Sequence, residues 1–100
     1  MEINALLMDL KDNVVTCVNE VAAGSMVCYR RSDEICTLEA IEDIPYCHKV
    51  ALTDIEKGAE VIKYGESLGE TSEAIKKGGW VAHHNLFSVP RDYDSEMVEI

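Results

Sequence analysis

His48 and Lys49 stand side by side, Lys63 and Tyr64 follow as a second adjacent pair, and His83, His84 and Asn85 close the apolar part of the chain. An imidazole and an ammonium are groups that bind a carboxylate and stabilise charge developing on it, and a tyrosine hydroxyl or an amide adds neutral hydrogen bonds. An anionic small molecule is therefore the ligand these types suit. Against this stands a plainer reading. Adjacent residues of a strand face opposite sides, so at most one of His48 and Lys49 points into any given pocket. A tyrosine before a glycine is commonly a packing residue at the rim of a β protein, with its hydroxyl in water.

Two further chemistries are weaker. Neutral imidazole suits Fe(II), Mn(II) or Zn(II), yet no carboxylate accompanies the histidines at a fixed offset, and no metal ligand is assigned in this chain. Cys47 beside His48 invites a thiolate–imidazole pair, but sequence neighbours rarely bring their side chains into hydrogen-bond contact and no third orienting group is evident. Lys76 and Lys77 read as a solvated turn. Trp80, Leu86 and Phe87 read as core or as an interface.

The elements that must position these groups are short and extended. Residues 3–8, 14–18, 35–41, 48–52 and 59–64 are apolar, β-branched or alternating runs too short for helices, separated by turn residues such as Lys11-Asp12-Asn13, Arg30 to Glu34 and Pro45. Gly65 and Gly69 bracket Glu66-Ser67-Leu68 in what reads as a tight turn or bulge. One frame, an aliphatic residue, two others, Gly, two others and Val, occurs at Val21/Gly24/Val27, Ile55/Gly58/Val61 and Ile75/Gly78/Val81. It predicts a single helical turn anchored by the aliphatic residue, ended by a left-handed glycine and followed by a strand. The uneven spacing of the copies excludes a solenoid.

One hundred residues make one domain, with a core that buries roughly 60 to 70% of the unfolded surface. A net charge of −10 opposes binding to a nucleic-acid backbone. Cys17, Cys28, Cys36 and Cys47 form no C-x-x-C pair, so free thiols in a reducing, cytoplasmic setting are expected. No apolar run approaches the roughly 20 residues of a membrane span. Residues 1–89 are expected to form the domain, and 90–100, carrying Asp92, Asp94, Glu96 and Glu99, an acidic tail.

Across these elements the chain resembles a known family. Ile44-Pro45, His48-Lys49, Ala51-Leu52, Asp54-Ile55, Gly58, Val61-Ile62-Lys63-Tyr64-Gly65, Gly69, Ile75, Gly78, Val81 and His84-Asn85 match the pattern of the small SAF domain of altronate and galactarate dehydratases. There are two departures. Cys47 stands where the family usually has glycine, and Ala82-His83-His84-Asn85 replaces a frequent His-x-His-Asn ending.

The resemblance implies an all-β fold, β-rich with short helical turns and a β-clip-like small barrel. It also implies a role as the small subunit of a sugar-acid dehydratase, a hydro-lyase inactive without a large catalytic subunit. Water would leave an aldonate or aldarate to give a 2-keto-3-deoxy acid, with a divalent metal, Fe or Mn, held in that partner. His48 would be catalytic, and Lys49, Lys63, Tyr64, His84 and Asn85 would contact substrate. The alternatives are the small subunit of a sulfolactate sulfo-lyase, which is similar, and a non-catalytic module binding an anionic carbohydrate.

Overall fold

The runs of β-branched residues and the frequent turns resolve, in a computed structural model that describes residues 2–87, into nine strands. They are β1 (Ala5–Leu6), β2 (Val14–Cys17), β3 (Met26–Arg31), β4 (Glu34–Glu39), β5 (Lys49–Ala51), β6 (Glu60–Lys63), β7 (Glu66–Thr71), β8 (Trp80–Val81) and β9 (Leu86–Phe87). Every pairing is antiparallel, and no helix occurs among the described residues. The strands form a four-stranded sheet in the order β1-β2-β5-β8, the hairpin β3-β4, and a three-stranded sheet β6-β7-β9. The acidic tail and the side chain of Phe87 lie outside the described residues.

The four-stranded sheet is the middle layer, and alternation along its strands divides the core in two. Val15, Cys17 and Val50 join Val27, Tyr29 and Leu38 of the β3-β4 hairpin and Ile44 on one face. Val14, Ala51 and Val81 join Val61 of β6 with Ile55 and Ile75 on the other. Because both faces are covered, Val14 and Val15 are both buried, as are Val50 and Ala51. Each fully buried valine or isoleucine adds about 1.5 to 3 kcal/mol.

The repeated frame occurs four times, not three. Ile44-Pro45-Tyr46-Cys47-His48-Lys49-Val50 is the additional copy, hidden in the sequence because a cysteine fills the glycine position. Gly24, Cys47, Gly58 and Gly78 all have left-handed backbones, with φ of 86, 66, 83 and 86°. In each copy the next N–H closes a turn on the carbonyl three residues back: Ser25 on Ala22, His48 on Pro45, Ala59 on Glu56 and Gly79 on Lys76, at 2.8 to 3.1 Å. The expected helical turn does not form. The N–H groups of Gly24, Cys47, Gly58 and Gly78 instead donate to carbonyls elsewhere in the chain, those of Ala40, Cys17, Thr71 and Ala51.

The copies associate in pairs, through antiparallel bridges between Val21 and Ile44 and between Ile55 and Ile75. A carboxylate secures each pair from the residue before the aliphatic one. Asp43 Oδ1 accepts the Ala23 N–H and Asp54 Oδ1 the Lys77 N–H, both at 2.9 Å.

Two turns fall elsewhere than expected. β3 continues through Arg31, and the reversal is at Ser32-Asp33, because Arg31 pairs with Glu34 across the hairpin. Tyr64 and Gly65, with φ of 57 and 74°, form a two-residue turn of type I′ between Lys63 and Glu66. The segment after it is therefore a strand, and the bulge predicted there lies at Leu68, where the register shifts from Val61↔Gly69 to Ile62↔Ser67.

Candidate functional site

The middle sheet sorts the candidate residues onto opposite faces. His48 immediately precedes β5, and Trp80 opens β8, the strand beside it. Their side chains meet: the indole Nε1 donates to His48 Nδ1 at 2.9 Å, with ring centroids 5.4 Å apart and planes at 65°. His84 also packs on the indole, with centroids 4.6 Å apart and planes at 51°, and His83 stands 6.2 Å from His84. His48 and Trp80 are half-buried, whereas His83 and His84 are exposed. The result is an aromatic cluster of two imidazoles around one indole.

β8 ends at Val81, so His84 reaches Trp80 by a turn rather than by strand alternation. Asn85, only 4% exposed, builds that turn. Its Oδ1 accepts the Ala82 N–H at 2.9 Å and its Nδ2 donates to the Trp80 carbonyl at 2.7 Å. Both ends of the amide are thus engaged with backbone. The side chain holds the residues on either side of His83 and His84 in place.

Lys49 points the other way. It pairs across the sheet with Thr16 and Val81, on the face covered by β6 and β7. Burial, and secondarily the Lys63 ammonium, hold its pKa below the usual lysine value. Thr16 Oγ1 on the same face is buried and has no hydrogen-bond partner among the described residues. Lys63 Nζ lies 5.3 Å from the centre of the exposed Tyr64 ring. Lys49, Lys63 and Tyr64 accordingly form a second group, separated from the His48 cluster by the sheet itself.

Three residues with a part in these arrangements carried no functional expectation. Asp12, 5% exposed, receives the N–H of Tyr64 on Oδ2 at 3.0 Å and that of Gly65 on Oδ1 at 2.8 Å, and so fixes the Lys63-Tyr64-Gly65 turn. Asn13 binds Ile62 N–H and Glu60 carbonyl alongside it. In sequence both are ordinary turn residues. Trp80 was read as core or interface and is the centre of the histidine cluster; the fourth copy of the frame is the signal that bears on it. At its fifth position the copies carry Ser25, His48, Ala59 and Gly79, so His48 is the one large side chain where the frame otherwise takes a small residue.

Among the described residues no group of three or more His, Cys, Asp or Glu side chains is placed to hold a metal ion. His48 Nδ1 is already occupied by the indole N–H. These described residues therefore form no metal-binding group of their own. All four cysteines are free, with Cys17 and Cys28 buried and Cys47 exposed. Among the described residues no helix is long and apolar enough to cross a membrane.

Comparison with known proteins agrees with this architecture. The family model for the altronate/galactarate dehydratase SAF domain matches residues 3–89. Altronate dehydratase of Escherichia coli (strain K12) is 39% identical over 83 residues, covering 83% of this chain and 16% of that protein. Galactarate dehydratase (L-threo-forming) of the same organism is 52% identical over 44 residues, 44% of this chain and 8% of that protein. The chain thus spans a small part of either dehydratase. The (2R)-sulfolactate sulfo-lyase subunit alpha of Chromohalobacter salexigens is 35% identical over 89 residues, 86% of this chain and 95% of that subunit. From the left-handed turns to the Tyr64-Gly65 hairpin and the match over residues 3–89, this chain belongs to the SAF-domain family of the altronate and galactarate dehydratases.

Proposed function

We propose that this chain is the small SAF subunit of a cytoplasmic lyase that removes water from a sugar acid, an aldonate or aldarate, to leave a 2-keto-3-deoxy acid. The observation that carries the reading is the half-buried His48 held against Trp80 with His84 beyond it, at a frame position otherwise given to small residues. An imidazole fixed in this way can hold the carboxylate of the acid while charge builds on it as the adjacent proton leaves. The remaining catalytic groups, and a divalent metal such as Fe or Mn, belong in this reading to a large partner subunit. The chain alone is then inactive. Co-expression with the product of the neighbouring gene, followed by assay of 2-keto-3-deoxy acid formation from a panel of aldonates and aldarates, tests this. Co-purification with turnover is expected, and a pair that neither associates nor turns over any acid overturns it.

A second reading has one specific observation in its favour. The chain covers nearly the whole of a sulfolactate sulfo-lyase subunit alpha but only a fraction of either dehydratase. In that reading sulfite leaves in place of water, from a substrate whose carboxylate His48 holds in the same manner. Sulfite release by the same pair, in the absence of dehydration, decides for it.

A further inference from the structure

We propose that Trp80 is a positioning residue that fixes His48 as a hydrogen-bond donor, so that what this imidazole receives is an oxygen acceptor, a carboxylate, hydroxyl or enediolate oxygen, and not a proton. The inference rests on the reading of His48 as part of the site and specifies its chemistry.

An indole N–H donates and has no capacity to accept. The 2.9 Å contact between Trp80 Nε1 and His48 Nδ1 therefore has a single polarity, with the imidazole nitrogen accepting. A nitrogen that accepts carries no proton, so the neutral ring holds its proton on Nε2 and presents it as a donor. Turning the imidazole over would set a C–H against the indole N–H and leave that donor without a partner. Neither nitrogen then offers a free lone pair. Proton abstraction from the substrate must fall to another group, while the Nε2–H is suited to an oxygen on which charge accumulates.

Both partners are held by more than this bond. The Trp80 N–H donates to Glu42 Oε2 at 2.9 Å, its carbonyl receives Asn85 Nδ2 at 2.7 Å, and His84 packs on its ring. The His48 N–H is tied to Pro45 at 3.1 Å and its carbonyl to the Cys17 N–H at 2.8 Å. The donor direction is set before any ligand arrives, which is how a fixed dipole contributes most to a developing charge.

Nitrogen NMR of the full 15N-labelled chain tests the arrangement without any partner. Expected are an unprotonated Nδ1 and a protonated Nε2 on His48, with a scalar coupling across the hydrogen bond between Trp80 Nε1 and His48 Nδ1. Trp80→Phe, which keeps an aromatic ring but lacks the N–H, is expected to abolish the coupling and let the tautomers mix. A protonated Nδ1, or no coupling in the unsubstituted chain, overturns the proposal whether or not the variant folds.

In the assembled lyase, His48→Ala is expected to lower kcat/KM by about 100-fold, and His48→Gln, whose amide N–H can still donate, to retain about tenfold more. Equal loss in the two variants marks a base and overturns the donor role. A chain that shows the coupling but supports no turnover with its partner overturns the proposed function while leaving the positioning by Trp80 intact.

Discussion

Cys47 is in a left-handed conformation that costs an L-residue roughly 1 to 2 kcal/mol and glycine little. Unlike its neighbour, it corresponds to a position where the other three copies carry glycine, and at two of these, Gly24 and Gly58, a Cβ would meet nothing within 4 Å. Cys47→Gly is thus expected to stabilise the fold by about 1 kcal/mol at most, since glycine's extra freedom in the unfolded chain offsets part of the relief. Urea denaturation monitored by circular dichroism measures it.

Cys17 behaves differently. Burial pushes its thiol up to about 11, from 9.0. Its folded pKa lies above the unfolded one, so its contribution to stability is complete below pH 9 and is lost as pH rises from 9 to 11, on the order of 2 kcal/mol in all. Melting temperatures across that window, compared with those of Cys17→Ala, isolate this part of the slope. Alkylation at neutral pH is expected at Cys47 first and at Cys17 only after unfolding, as read by peptide mass mapping.

At the scale of elements, the left-handed glycines Gly24, Gly58 and Gly78 are the features whose chemistry was written locally, whereas the Tyr64-Gly65 turn was not, since its sequence equally suits a turn over Glu66-Ser67-Leu68. A glycine three residues after an aliphatic anchor is a backbone requirement, visible within a few residues. Partners across the fold were not. His48 and Trp80 lie 32 positions apart and meet because β5 and β8 are neighbours. Asp12 reaches Tyr64 across 52 positions. Asp12→Ala removes the acceptor for both turn amides and is expected to cost about 2 to 3 kcal/mol, with the loss read by denaturant titration and by disorder of the Tyr64 and Gly65 amide resonances. Asp12→Asn keeps one acceptor oxygen and should fall between.

The glycines also separate by surroundings. A Cβ at Gly78 would stand 2.1 Å from the Glu39 carbonyl oxygen, whereas Gly58 has open space. Gly78→Ala is therefore expected to leave little folded protein and Gly58→Ala to cost only the conformational penalty, about 1 to 2 kcal/mol. Their soluble yields and melting curves distinguish the two.

For the molecule as a whole, the all-β class was legible because no apolar run was long enough for a helix and the turn residues recurred at short intervals. The layering was not. Runs such as Val14-Val15 and Val50-Ala51 state that both faces of a strand are covered, but they do not say by what. The answer, a four-stranded sheet between the β3-β4 hairpin and the β6-β7 pair, depends on contacts that no local pattern encodes. The same layering gives His48 and Lys49, neighbours in sequence, different surroundings, one on the face toward the β3-β4 hairpin and the other on the face toward β6 and β7. Lys49, a cation pressed into the sheet face beside a second ammonium, destabilises the fold while charged. The penalty is present at neutral pH and eases as pH rises through its lowered pKa toward 10.5. Lys49→Met is accordingly expected to raise the melting temperature at pH 7 and to lose that advantage in strong alkali.

β5 has a strand on each side and a core on each face. A backbone so enclosed does not exchange its amide hydrogens by local fraying, and those of Val50 and Ala51 should exchange with deuterium only through openings close to complete unfolding. The residue that leads into this strand is His48. Its backbone is therefore anchored at the start of the slowest-exchanging strand of the molecule, and its ring is tied to the neighbouring strand through the Trp80 indole N–H.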